Sequence, residues 1–310
     1  MTSNKKTPPQ QLQHRPVLLE KTIEVLAPAK GETYLDLTAG YGGHARAIID
    51  KIGNASLATL VDRDVYAISS LQPLGQLGAR IIHRDFASAA TELAEAGETY
   101  DMILVDLGVS SPQLDNGERG FSFQHSGPLD MRMDQSQPTT VADLVNTYPE
   151  ERLAQIIREY GEEPKARAVA KAIVLHRPLH TTDELAEVVA KTLRGKWSKI
   201  HPATRTFQAL RIALNDELGQ LRDTLTLLPR LLKPGGRVAV ISFHSLEDRL
   251  VKQFFKEQAE SGFEAQLQLV TKKPISGATD DVHNPRARSA KLRAAVKIKT
   301  NERMSHANSG

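Results

Sequence analysis

Short apolar runs of strand length alternate with amphipathic helical stretches along the first third of the chain. The runs fall at 32–38, 57–62, 80–85 and 100–106. The first leads into a glycine-rich turn at 39–44 and a helical stretch at 45–51, which Gly53 and Asn54 end. Strand, glycine turn, helix and strand are the parts of parallel βαβ units, whose right-handed crossovers predict a doubly wound sheet. Then the pattern stops. Residues 107–140 show little periodicity and much Gly, Pro, Ser and Asp, yet they hold aromatics and paired charges. A stretch that long in a compact enzyme is expected to be functional. From 141 to 232 the chain reads helical, at 149–158, 165–175, 183–193 and from 203 through 214 onward. Thr182 and Asp183 are the expected start of the third of these. A strand returns at 236–243 after a turn at 233–236, followed by a helix at 246–256 and two closing strands at 265–271 and 290–299.

Five strands alternating with helices, then an antiparallel pair, predict a seven-stranded sheet with one reversed strand. That is the α/β architecture of Rossmann-like methyltransferases, and nucleotide dehydrogenases do not usually end this way. The expected division is a disordered leader at 1–13, a discontinuous sheet domain at 14–112 and 215–310, and a loop plus inserted helical domain at 113–214. Sheets of this kind hold ligands at the carboxyl ends of their strands. Here those ends carry Asp36, Asp62, Asp85 and Asp106.

Gly40, Gly42 and Ala45 fit the G-x-G-x-x-A pattern, with Gly43 and His44 inside it. Glycines there let a backbone approach a ligand closely and turn into a helix. Asp36 at the tip of the preceding strand would repel a pyrophosphate and attract an ammonium or sulfonium group, which favours S-adenosylmethionine over a nicotinamide dinucleotide. Asp62, about 20 residues further on, stands where a carboxylate takes the ribose hydroxyls, while Asp64 is better placed to cap the next helix. Asp85 and Phe86 would meet an adenine edge and face, although Phe86 as plain core is an equal reading. After the fourth strand come Asp106, Ser110, Ser111, Pro112 and Gln113. This loop resembles the one that amine methyltransferases carry there. An exocyclic base amine is nearly planar, with its lone pair delocalised, so acceptors must hold its N–H groups and turn the lone pair toward the methyl. A proline stiffens the loop that presents them. After the fifth strand, Ser245 with Asp248 would cap the helix, Phe243 would stack on a flipped base, and His244 would lie over the sheet edge.

The chain has no cysteine. That excludes disulfides, thiolate-ligated metals and the thiolate route to carbon-5 methylation of cytosine, and leaves direct attack by an amine without a covalent enzyme intermediate. With 40 basic and 37 acidic residues, charge placement matters more than the net +3. Between 282 and 300 there are six basic residues and no acid. Arg286, Arg288 and Lys291 are expected to meet RNA phosphates, with Lys196, Lys199, His201, Arg205 and Arg211 extending the track. The ten histidines lack metal-ligand spacing, so no metal is expected. No run reaches the roughly 18–20 apolar residues of a membrane span, and the polar start lacks a signal-peptide core. Cytoplasm is the expected compartment, with no membrane partner.

Taken together, these residues resemble the bacterial small-subunit ribosomal RNA methyltransferase H family, the MraW-like proteins. The motifs run in order: His14 to Leu19, Gly40 to His44, Asp106 to Gln113, Gly117 to Phe123, Gly127 to Asp134, His201 to Gln208, Ile241 to Arg249 and Asn284 to Arg293. The resemblance covers about 14–300. It implies methyl transfer from S-adenosylmethionine to the exocyclic N4 amine of a cytidine in 16S rRNA near the ribosomal P-site, with the small subunit as the partner. It carries cofactor contacts to Gly42, Gly43, His44, Asp62, Phe86, Asp106 and Gln113. The loop departs from many members at Ala39 and Tyr41, which leaves the Gly-Gly-His core intact. A monomer or homodimer is expected. The competing readings are an adenine-N6 methyltransferase, which shares the amine chemistry, a nicotinamide-dependent oxidoreductase, and a non-catalytic RNA-binding assembly factor.

Overall fold

A computed structural model describes residues 15–193 and 201–298. The leader at 1–13, His14, Lys196 and Lys199, and the end of the last expected strand lie outside the described residues. Among the described residues a single sheet runs in the order β3-β2-β1-β4-β5-β8-β6. Its strands are β1 (Tyr34–Asp36), β2 (Ala58–Asp62), β3 (Arg80–His83), β4 (Tyr100–Asp106), β5 (Leu232–Ser242), β6 (Leu267–Leu269) and β8 (Lys291–Lys297). A two-residue β7 (Ile275–Ser276), absent from the expected seven, pairs beside Lys291 and Leu292 of β8. β1 to β5 are parallel, and β8 is reversed against both β5 and β6. The order turns back between β1 and β4, and a crevice opens above the carboxyl ends there.

The helices of the first half follow from local chemistry. α1 (Leu19–Leu26) precedes the sheet, and α2 (Gly43–Ile52) buries Ile48, Ile49 and Ile52 before Gly53 stops it in the left-handed region. α3 (Val65–Gln76) starts at Asp64, whose carboxylate accepts from the Tyr66 N–H. α4 (Phe86–Glu95) starts at Asp85 in the same way, through the Ser88 N–H.

The 107–140 stretch is less irregular than its sequence suggests. It opens with α5 (Ser111–Asp115) and a short 3-10 turn at Gly117–Arg119. Phe121, Leu129, Met131 and Met133 are then buried in one core with residues of α6 (Val141–Thr147), α7 (Glu150–Gly161), α8 (Ala166–Leu175), α9 (Thr182–Thr192) and α10 (Thr204–Asn215). The N-cap of α9 is Thr181 rather than Thr182, because Glu184 reaches back to the Thr181 N–H at 3.2 Å. The long helix expected from 203 onward is two helices. Asp216 takes a left-handed conformation (φ 48°) between α10 and α11 (Glu217–Leu231), which turns the chain back to the sheet. There Leu221, Leu225, Leu228 and Leu231 are buried against β-strand side chains. β5 also starts earlier than expected, at Leu232, with a register shift against β4 where the glycine turn lay. α12 (Ser245–Glu260) covers the same face, and α13 (Gly277–Asp280) precedes β8. No helix is long and apolar enough to cross a membrane among the described residues.

Candidate active site

One cleft of about 820 Å³ lies over the β1/β4 crevice. Three parts of the chain line it: the tips of β1, β2 and β4 with the glycine loop, the loop from Leu107 to Leu114, and a seam formed by Met133, Arg211, Glu217, Phe243 and Glu247.

At the first wall, the Asp36 side chain is buried, accepting from the Tyr34 hydroxyl at 2.7 Å and the Thr38 N–H at 3.2 Å. Burial pushes its carboxyl up to about 6, against these donors and His44. Asp62 holds the Gly40 N–H and the Asp64 N–H, both at 2.8 Å. Burial raises its pKa as well, opposed by those two N–H groups. Gly40 and Gly42 both have positive φ. Gly43 admits no side chain, since a Cβ there would lie 2.5 Å from Pro16 Cγ, and the N-terminal segment packs on the loop through that contact. Phe86 lines the cleft with its ring 8% exposed, so core and cleft readings coexist. Asp85 is different: it is spent on its helix cap and stands outside the cleft lining.

His44 and Asp106 meet at the centre. His44 Nε2 lies 3.5 Å from Asp106 Oδ2. Neither ring nitrogen of His44 makes a hydrogen bond among the described residues, and buried Oδ1 of Asp106 makes none either. The Asp106 N–H donates to Thr38 Oγ1, which ties the tip of β4 to that of β1.

The second wall is braced from behind. Ser110 and Gln113 form a capping box that starts α5, with Pro112 inside its first turn. Gln113 Nε2 donates to Asp64 Oδ2 at 2.7 Å, and Arg119 Nη1 donates to the same oxygen at 2.9 Å. Arg119 also packs against the rings of Tyr66 and Phe121 and donates to the Arg132 carbonyl. The end of β2, α5 and the segment that follows it thus share one buried cluster. Ser111 is buried beside it. Gly108 (φ 94°) lets the Phe243 ring approach the loop, since a Cβ would stand 3.1 Å from it.

At the seam, Arg211 holds Glu217 through two bonds of 2.7 Å. Asn215 clasps the Met133 N–H and the Met131 carbonyl. Arg63 donates to the Asn215 carbonyl, and burial lowers its pKa. The expected cap of α12 is off by one residue. His244 is the N-cap and Glu247 its partner, accepting from the Phe243 N–H at 2.7 Å. Burial opposes ionisation of Glu247, but His244 and the neighbouring donors outweigh it and its pKa is lowered. The His244 side chain is only 8% exposed, so it faces inward rather than over the sheet edge. Glu217, His244 and Glu247 each bring one ligand-type atom within 4.8 Å of the others, a grouping that histidine spacing in the sequence does not reveal. Arg211 already neutralises one of these carboxylates.

The expected RNA cations are mostly engaged. Arg286 Nη2 donates to both carboxylate oxygens of Asp115 (2.6 and 2.8 Å) at the cleft mouth. Lys291 binds Asp248 at 2.9 Å beside Arg293. Arg205 donates to the Glu162 carbonyl, and His201 stacks on Phe123 at 4.6 Å. Arg288 is exposed and makes no ion pair among the described residues. Arg211, expected to extend the RNA track, is instead tucked inward against Glu217. Sequence reasoning missed Arg63, Arg119, Glu217 and Glu247. Arg63 and Arg119 act through residues more than fifty positions away, whereas Glu217 lies six residues after its partner Arg211 and Glu247 three after His244.

The chain matches the MraW methylase family over residues 11–298. It is similar to proteins named ribosomal RNA small subunit methyltransferase H. The one from Synechocystis sp. is 49% identical, over 92% of this chain and 93% of that one. Those from Geobacter sp. strain M21 and Cyanothece sp. are both 48% identical, over 92% of this chain and 98% and 95% of theirs. Among solved structures, the N-methyltransferase NodS from Bradyrhizobium japonicum superposes with TM-score 0.42 at 10% identity, over 91% of this chain and 94% of that one. That likeness is too loose to argue from. At these identities over nearly full length, the chain belongs to the MraW methylase family, whose methyl donor is S-adenosylmethionine.

Proposed function

We propose that this chain methylates the exocyclic N4 amine of a cytidine in 16S ribosomal RNA, near the P-site of the small subunit, in the cytoplasm. The observation that carries this reading is the carboxylate of Asp106, buried and unpaired at Oδ1 at the foot of a serine- and proline-bearing loop. The rRNA substrate is the one named for the relatives, and N4 of cytidine is the finer step taken here.

The cleft suits the donor. Buried atoms that lack hydrogen bonds, on His44 and Asp106, face a glycine loop and two further carboxylates, a setting that favours a cationic nucleoside. Asp62 would take the ribose hydroxyls, Phe86 the adenine face, and Gly40, Gly42 and Gly43 the close backbone approach. Asp36 and Asp106 supply negative charge where the donor is positive, and Gln113 keeps α5 in place. Bound there, the donor supplies a methyl carbon on a sulfonium, with the C–S electron pair leaving on sulfur.

The rest falls to the chain. Asp106, with Ser110 and Ser111 on a loop stiffened by Pro112, would accept the amine N–H groups and turn the nitrogen lone pair out of conjugation. Phe243 would stack on the extruded base. The body at 113–214 would engage the RNA. Arg288 is the most accessible of the proposed phosphate contacts, whereas Arg286, Lys291 and Arg205 must first exchange a protein acceptor for a phosphate oxygen. His244 leaves this list because it is buried as a helix cap.

The test is incubation with labelled S-adenosylmethionine and small subunits that lack the modification, followed by mass spectrometry of the nucleosides. N4-methylcytidine is expected. N6-methyladenosine or 5-methylcytidine would reassign the base chemistry, and no incorporation would remove the reading.

A further inference from the structure

We propose that His44 and Asp106 form the proton acceptor of the reaction, with Asp106 taking the surplus proton of the substrate amine and His44 drawing it away. This rests on the amine-methylation reading above. It assigns His44 a role that a cofactor contact does not include.

The geometry comes first. His44 is the second residue of α2 and its side chain is 6% exposed. Its Nε2 stands 3.5 Å from Asp106 Oδ2, and neither ring nitrogen is hydrogen-bonded among the described residues. Oδ1 of Asp106 is buried without a partner as well. A buried polar atom left without a partner costs about 1–3 kcal/mol. His44 Nδ1 and Asp106 Oδ1, with no partner, and His44 Nε2, with only the long approach to Asp106, therefore leave bonding capacity in one corner for something that enters. Asp115, Asp248 and Glu162, by contrast, each find a basic partner.

The surroundings suit a proton. From β1, Asp36 faces the pair, with its carboxyl tied to the Tyr34 hydroxyl and pushed up to about 6 by burial. Tyr34 is buried and its own pKa is raised further. On α2, Arg46 is turned away to the Tyr41 carbonyl. His44 therefore meets two acids and, among the described residues, no cation in this corner.

An amine that gains a methyl carbon carries one hydrogen too many. Its N–H bond breaks, the electron pair stays on nitrogen and restores conjugation with the ring, and the proton goes to Asp106. A free carboxylate holds a proton poorly at neutral pH, whereas an ordinary imidazole titrates near 6.5. Passing the proton across to His44 Nε2 returns Asp106 to its charged form, and solvent takes the proton when product leaves. With water displaced by base and donor, a group in contact must do this.

The experiment uses the full chain, with small subunits as substrate and N4-methylcytidine as product. Donor affinity is measured by calorimetry, and single-turnover rates are followed against pH at saturating donor, for wild type, His44→Gln and His44→Asn. The expected result, read at saturating donor so that any loss of donor affinity is set aside, is a single-turnover rate lower by roughly 10²-fold at neutral pH and loss of the wild-type fall in rate toward acid. Gln, whose amide lies nearer the Nε2 position, should retain more donor affinity than Asn. Donor affinity lost in proportion, with an unchanged rate and pH profile at saturation, would overturn the proposal and leave His44 as a donor contact. Failure of the functional reading looks different, since wild type itself would then form no N4-methylcytidine.

Discussion

Two acidic neighbourhoods of this protein look alike in sequence and behave differently in space. At the tips of β1 and β4, no lysine or arginine closes Asp36 or Asp106 among the described residues: Asp36 is buried, and half-buried Asp106 has His44 beside it and keeps its buried Oδ1 unpaired. Elsewhere, Asp115 and Glu162 are exposed and Asp248 is buried, yet each is closed by an arginine or lysine. These three carboxylates satisfy the fold. At the tips, Asp106 leaves bonding capacity at Oδ1 that a ligand can use. Exposed charges find partners wherever chain flexibility allows, and such pairs contribute little. A buried oxygen without a partner is the rarer event, and it singles out the proposed reacting centre better than any count of charges.

The strongest challenge to this contrast is Asp106→Ala. Transfer should fall roughly 10³-fold, while donor affinity measured by calorimetry falls less than tenfold. Equal losses in both would make Asp106 a donor contact only. Next in size is the brace behind the loop. Asp64 and Arg119 are 2% and 4% exposed and bridge residues 55 positions apart. Removing Arg119 alone, as Arg119→Met, should cost about 3–5 kcal/mol in denaturant unfolding, because Asp64 would stay buried without its cation. A loss below about 1 kcal/mol, the level of an exposed pair, would show the brace to be dispensable.

Asp36 gives a signed pH dependence. Its folded pKa of about 6 lies above the ordinary carboxylate value, so the folded state binds the proton more tightly. Stability of the donor-free protein should be greatest below about pH 4 as far as this group is concerned, and decline between about 4 and 6 by about 3 kcal/mol. Above 6 the group adds no further slope. Donor binding should show the opposite trend and weaken below about pH 6 by up to tenfold per unit, because a cationic ligand requires the charged carboxylate. Asp36→Asn should flatten both curves, and persistence of either slope would assign it elsewhere. The smallest effects belong to the rim. Arg288→Gln should reduce the salt slope of RNA binding by about 1, and Arg286→Gln by less, since Asp115 already neutralises Arg286. Equal reductions would erase the distinction between paired and unpaired cations.

Much of the donor side was legible because its elements are local. An apolar run, an acid, a glycine turn and a helix follow one another within about twenty residues, and period and turn chemistry suffice to read them. What failed did so for stated reasons. Ser245 is a stronger capping residue type than His244, so propensity placed the start of α12 one residue late. Asp248 goes instead to Lys291 and Arg293, more than forty positions on. Asp216 breaks a helix whose side-chain pattern is continuous. Phe121, Leu129, Met131 and Met133 are core without periodicity, because a segment held by Arg119, Arg132 and Asn215 need not repeat to be buried. The charge run at 282–300 was visible, but its engagement by Asp115 and Asp248 was not.

The chain order of the sheet bears on how the protein is made. β4 is central, yet its partner on one side, β5, follows only after the whole helical insertion, roughly 125 residues later. At a synthesis rate of about 5–20 residues per second, the open edge of β4 waits about 6–25 seconds for that strand. During that interval its Met102–Val105 segment offers a ready template to any other extended chain. The insertion builds a core largely from its own residues and can pack while the edge waits. Nascent-chain crowding, more than the stability of the finished sheet, is thus the hazard this topology sets, and slowed elongation between 107 and 231 should lower soluble yield while leaving the melting temperature of the recovered protein unchanged.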